Sequence, residues 1–260
     1  MKAPRAHSVV FICTWLLAAM TPAATLALDG SSVLLGQLQL KSNTSPNKLA
    51  ALDAVALELC GRTSVTAPVG SRAVPVPGET LYDFPLLFLP ATQPLDKLDL
   101  EEQTALSGWL RAGGTLVIDW EGGGANMEPF RSSVEQFAAA LLPGATLERV
   151  PRSDVLYRSF YKVAYASGRL RLVDDLYGVP LDGRYAVLVT YNDLLSAAER
   201  DPAGEYRFDA VPGGSQQRED AVRLLVNLVL HALCLDYKDE KVHLDYLKSR
   251  RNWQLPAEEP

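Results

Sequence analysis

LYDFPLLFLPATQPLDKLDLEEQTALSGWLRAGGTLVIDWEGG, residues 81–123, is the stretch whose reading decides the fold. Phe84 to Leu89 is a continuous apolar run, the pattern of a strand buried on both faces. Asp99 with Glu102 then supplies a capping-box start to a helix that presents Leu106, Trp109 and Leu110 on one side. Gly113-Gly114 stops that helix, and Thr115 to Trp120 is a second buried strand. Two apolar strands joined by an amphipathic helix predict parallel pairing.

The same alternation extends in both directions. Upstream, Val33 to Leu40 reads as a strand and Ser45-Pro46 as a helix start. Leu49, Leu52 and Leu59 mark that helix's apolar face, and Ala73 to Val76 is a short strand. Downstream, Phe130, Val134, Phe137 and Leu141 mark a helix, Tyr185 to Tyr191 a central strand, and Arg218 to Leu235 a long helix. Glu148 to Arg184 is less regular, and short strands and turns against a sheet edge are expected there. The pattern predicts one α/β domain over residues 28–235, a mostly parallel sheet flanked by helices on both faces. A charged tail over 236–260 follows it.

The N-terminus reads as a secretory signal peptide over residues 1–27. Lys2 and Arg5 precede the apolar run Val9 to Met20, and a small-residue stretch leads to Ala27. The run is shorter than the roughly 20 apolar residues of a membrane span. A periplasmic or secreted protein is expected, touching a membrane only if the segment stays uncleaved. Removing Lys2 and Arg5 takes the formal charge from −6 to about −8, and no basic stripe is left for nucleic acid. Cys60 and Cys234 fall on apolar helix faces. Buried thiols and a mutual disulfide both fit that placement.

Ligands of parallel sheets bind beyond the carboxyl ends of the strands. That rule selects Asp119 and Glu121, which end a central strand before Gly122-Gly123-Gly124, and Asn192-Asp193, which end another. Paired carboxylates there suit acid–base work or a bound cation, and the same residues suit turn capping. Nucleophilic chemistry has no Gly-x-Ser-x-Gly to use, and the two cysteines outside the signal segment sit on helix faces. His231 lies in an apolar helix, and His243 in the charged tail has no matching partner, so no zinc site is expected. The reading assigns neither a cofactor nor a metal.

The opening stretch, with its Tyr-x-x-Pro-strand segment and its Leu-Arg-x-Gly-Gly-strand-Asp segment, resembles the bacterial domain of unknown function 4159 family. Later blocks carry the same resemblance: Leu156 to Tyr161, Asp182-Gly183-Arg184, Tyr191 to Leu194, Val226 to Val229 and Tyr237 to His243. The resemblance implies a class I glutamine amidotransferase-like fold with a flavodoxin-like sheet, and it implies no activity. Where many relatives have an acidic residue and a His-Pro, this chain has Trp120 and Asp154-Val155. The resulting expectation is a non-catalytic binding or scaffold domain of the cell envelope, engaging an envelope protein or a small polar ligand. The alternative is an exported hydrolase or carbohydrate-active enzyme that uses Asp119, Glu121 and Asp193.

Overall fold

The computed structural model describes residues 33–42 and 45–250, with side chains through Leu233. The signal segment, the Cys234 thiol and the last ten residues lie outside the described residues. Strands β1 (Gly36–Gln39), β2 (Arg72–Pro75), β3 (Leu86–Ala91), β4 (Thr115–Trp120), β5 (Glu148–Arg149), β6 (Tyr177–Leu181) and β7 (Arg184–Thr190) form one sheet. Their order is β2-β1-β3-β4-β7-β6-β5. The first five in that order pair in parallel, and β6 and β5 add an antiparallel edge. The parallel part has the flavodoxin-like order, with β7 as its fifth strand.

Helices α1 (Leu49–Arg62) and α4 (Gly214–Arg250) cover one face of the sheet, and α2 (Leu100–Arg111) and α3 (Met127–Leu141) cover the other. β3 and β4 are buried along their whole length, as apolar runs between two helical layers must be. The capping box at Asp99 and Glu102 forms with both of its hydrogen bonds, fixing the start of α2. Gly114 ends the turn after α2 because the Trp109 indole leaves no room for a side chain: an added Cβ would stand 2.2 Å from it.

Three details depart from the sequence reading. Helix α1 begins at Leu49 rather than at Pro46, because Gln37 on β1 holds the preceding loop. The Gln37 amide donates to the Pro46 carbonyl at 2.9 Å and accepts from the Lys48 N–H at 2.8 Å. Cys60 is a free, exposed thiol rather than a buried one, lying against the backbone of Ala67. The α4 backbone stays helical to Arg250, through much of the segment read as a charged tail.

The irregular stretch between β5 and β6 joins the two edge strands and is held by α4 and by the residues just past β7. Its order comes from two buried asparagines. Asn227 on α4 receives the Phe160 and Tyr161 N–H groups and donates to the Leu156 and Tyr161 carbonyls. Asn192, just past β7, does the same for residues 166–173.

Candidate ligand site at the carboxyl edge of the sheet

β4 and β7 are parallel neighbours, so their carboxyl ends open side by side. Asp119 lies in register with Thr190. Alternation along β4 sends Trp120 to the opposite face, where it stacks on Phe130 with ring centroids 4.3 Å apart. Asp119 and Glu121 therefore share the face covered by α1 and α4. Asp193 reaches the same place by a turn of left-handed backbone (φ 54°), a conformation that aspartate adopts more readily than most residues. Its N–H donates to the Trp120 carbonyl at 2.9 Å, which stitches the two strand ends together.

The result is a tight acidic cluster. Asp119, Glu121 and Asp193 each offer a carboxylate oxygen, and these atoms all lie within 4.8 Å of one another. Asp119 is fully buried and accepts the Leu194 and Leu195 N–H groups, both at 2.8 Å. It thereby caps the 3-10 turn Leu195–Ala197. One Glu121 oxygen meets the Lys48 ammonium at 3.1 Å, and one Asp193 oxygen meets the Arg169 guanidinium. The other oxygen of each, Oε1 of Glu121 and Oδ1 of Asp193, is buried without a hydrogen-bond partner, as is the Thr190 hydroxyl.

A second ring of charge surrounds these groups. Lys48, which stands just before α1, also bonds the Ser196 hydroxyl at 2.6 Å and Glu199 at 3.0 Å. Glu199 is paired as well with Arg207, at 2.8 Å. The Phe208 ring lies 5.4 Å from the Lys48 ammonium, 5.6 Å from the Arg169 guanidinium and 5.5 Å from that of Arg207. One aromatic ring thus lies within about 6 Å of three cations that pair with the buried carboxylates.

Burial pushes the Asp119 carboxyl well above the usual carboxylate range. Asp193 and Glu121 add to that, and the two N–H bonds pull against it. Burial likewise pushes Glu121 up to about 7, against the pull of Lys48. For Lys48 the balance is reversed: burial disfavours the ammonium, but Glu121, Glu199 and Asp193 outweigh it and raise its pKa. Lys48 therefore stays protonated and cannot serve Ser196 as a general base, although the two atoms touch.

The structure thus brings together three of the four residues selected from sequence. Asn192 is buried beside them, but both ends of its amide are spent on backbone groups. One of the glycines after Glu121 is required by the neighbouring indole ring. A Cβ on Gly122 would stand 2.2 Å from the Trp120 ring, and the Trp120 indole N–H donates to the Gly123 carbonyl at 2.7 Å. Lys48, Arg169, Glu199 and Thr190 escaped the sequence reading. Thr190 precedes the Tyr-Asn-Asp turn directly and shares Asp119's register, a signal that strand pairing alone could have given. Lys48 and Arg169 carry no local signature, because their partners lie 73 and 24 residues away.

A protein-family model described as Domain of unknown function (DUF4159) matches residues 35–233. The chain belongs to this family. The matched span contains every residue of the cluster and ends within α4. No match was found among curated proteins.

Proposed function

We propose that this member of the DUF4159 family is an exported binding domain of the cell envelope, and that it takes a polar ligand at Asp119, Glu121 and Asp193. One observation carries the reading. Three carboxylates converge at the carboxyl ends of two adjacent central strands, and two of their buried oxygens have no hydrogen-bond partner. A fold does not normally leave such oxygens unmatched unless another group completes them. Export rests on the order of charge, apolar run and small residues at the N-terminus.

The second reading, an exported two-carboxylate hydrolase, is favoured by one feature. The clustered oxygens lie within 4.8 Å of one another, close enough for the roughly 5–5.5 Å between the carboxyl groups of retaining glycosidases. Against it stand Asp119, with both oxygens committed to backbone N–H groups, and Lys48, held as a cation.

The test has two parts. Fractionation of cells producing the full chain should place it in the envelope, with about 27 N-terminal residues removed. The purified protein should then be screened by thermal shift against sugars, amino acids and inorganic salts. At least one compound should raise Tm in the native protein and not in Glu121→Gln, whose unliganded Tm should stay within a few degrees. Equal shifts in both proteins would refute the site. Turnover of a supplied sugar that Glu121→Gln abolishes would replace the binding reading with the hydrolase.

A further inference from the structure

We infer that Asp119, Glu121 and Asp193, with the Thr190 hydroxyl beside them, form a site for a divalent cation of about calcium or manganese size. The inference rests on the ligand-site reading above and names the ligand. Its geometric basis is the 4.8 Å that bounds the carboxylate oxygens. Two oxygens on opposite sides of a calcium ion stand about 4.8 Å apart, since each lies about 2.4 Å from the metal. Oxygens bound to adjacent positions lie closer together. The cluster therefore fits inside one coordination sphere.

The unpartnered atoms decide what belongs there. Glu121 Oε1, Asp193 Oδ1 and Thr190 Oγ1 are all buried without a partner. The Asp193 residue is 2% exposed and the Glu121 side chain 7%. A proton shared among the carboxylates reduces the charge but supplies one hydrogen bond. A water molecule supplies two donors but leaves the charge as it was. A metal ion serves one oxygen from each carboxylate at once and neutralises them.

The charge balance points to two positive units. Asp119, Glu121, Asp193 and Glu199 are buried carboxylates, and Lys48 and Arg169 are the cations packed among them. Arg207 also reaches Glu199, but its side chain is 60% exposed and solvent screens it. With all four ionised, as a bound ion would hold them, the buried group is two charges short. All the donors are oxygens, which suits a hard cation and not zinc.

The outer oxygens are already arranged for such a role. Lys48 holds Glu121 Oε2, Arg169 holds Asp193 Oδ2, and two backbone N–H groups hold Asp119. Partners of this kind orient ligating carboxylates and raise affinity. Glu121 begins the half-buried loop that follows β4, so the site has an edge toward solvent.

The full chain, stripped with a chelator, should be titrated calorimetrically with calcium chloride and with manganese chloride. One equivalent should bind, with Kd at or below the order of 10⁻⁴–10⁻³ M typical of extracellular calcium modules. Tm should rise with ion concentration as mass action requires. Glu121→Gln and Asp193→Asn, made separately so that one can stand if the other fails to fold, should each weaken binding at least tenfold. Glu101→Gln, at an exposed ion pair with Lys41, should leave binding unchanged. The assignment is overturned if neither ion gives saturable heat, if sodium chloride gives the same heat, or if both site variants bind as tightly as the native chain. If the ions fail while an organic ligand still depends on Glu121, only the cation is wrong. If nothing depends on Glu121, the ligand-site reading falls as well.

Discussion

Asp119 carries two roles at once, and they are separable by experiment. Its carboxylate is part of the acidic cluster, yet it also receives the N–H groups of Leu194 and Leu195 in a dry environment. Replacing it with alanine leaves both donors unpaired, so Asp119→Ala should cost about 4 kcal/mol of stability, read from the urea midpoint. Glu121 caps no backbone group, and Glu121→Gln keeps an oxygen toward Lys48, so that substitution should affect the ligand more than the fold. A cost for Asp119→Ala below about 1 kcal/mol would mean that the turn after Asp193 does not depend on it. At this scale the sequence was informative in an uneven way. Alternation along a strand makes Asp119 and Glu121 neighbours on one face, and that could be read directly. Asn192 carries the same polar signal as Asp193, but its amide is consumed by residues 166–173, and nothing local distinguishes the two. Gly168 belongs to that contact: a Cβ there would lie 2.1 Å from the Asn192 carbonyl oxygen.

At the level of elements, the strands with one strong pattern were the legible ones. β4 occupies the same six residues, Thr115–Trp120, that its apolar run predicted. β6 and the turn after it were harder to see. Tyr177–Leu181 contains Gly178 and Pro180, which disguise a strand, although Asp182-Gly183 is a strong two-residue hairpin signal. Both of those turn residues adopt positive φ, 50° and 80°, as that tight connection requires. The segment 156–161 has no pattern of its own because its order is imported from α4. Asn227 satisfies four backbone groups there, and substitution by leucine would strand all of them. Asn227→Leu should lose about 3 kcal/mol and show faster hydrogen exchange at Phe160 and Tyr161. Unchanged exchange at those two amides would show that another element orders the segment.

For the molecule as a whole, the face that carries the site is built by α1 and α4. These helices are joined by an ion pair as well as by the core between them. Arg62 at the end of α1 grips Glu219 in the first turns of α4 with bonds of 2.7 and 2.9 Å. The Arg62 bonds, helped by Arg223 and opposed by burial, lower the Glu219 pKa below its ordinary value. A depressed carboxyl stabilises the fold above its unfolded pKa, about 4.3, and that contribution disappears as pH falls through the lower folded value. The native chain should therefore lose more stability between pH 5 and pH 3 than Glu219→Gln does, measured by denaturant midpoints. Equal losses would remove the pair from the acid response.

That face brings Lys48 from the loop before α1, Glu121 from the end of β4, and Asp193 and Glu199 from the segment after β7 to one place. A sequence can show such residues one at a time but not their meeting, since it depends on the strand order. The most direct test is diffraction from crystals grown with manganese, using anomalous scattering to locate the ion. The account predicts one strong peak enclosed by the Asp119, Glu121 and Asp193 carboxylates. A map without that peak, in which those carboxylates are bridged to one another or filled only by water, would contradict it.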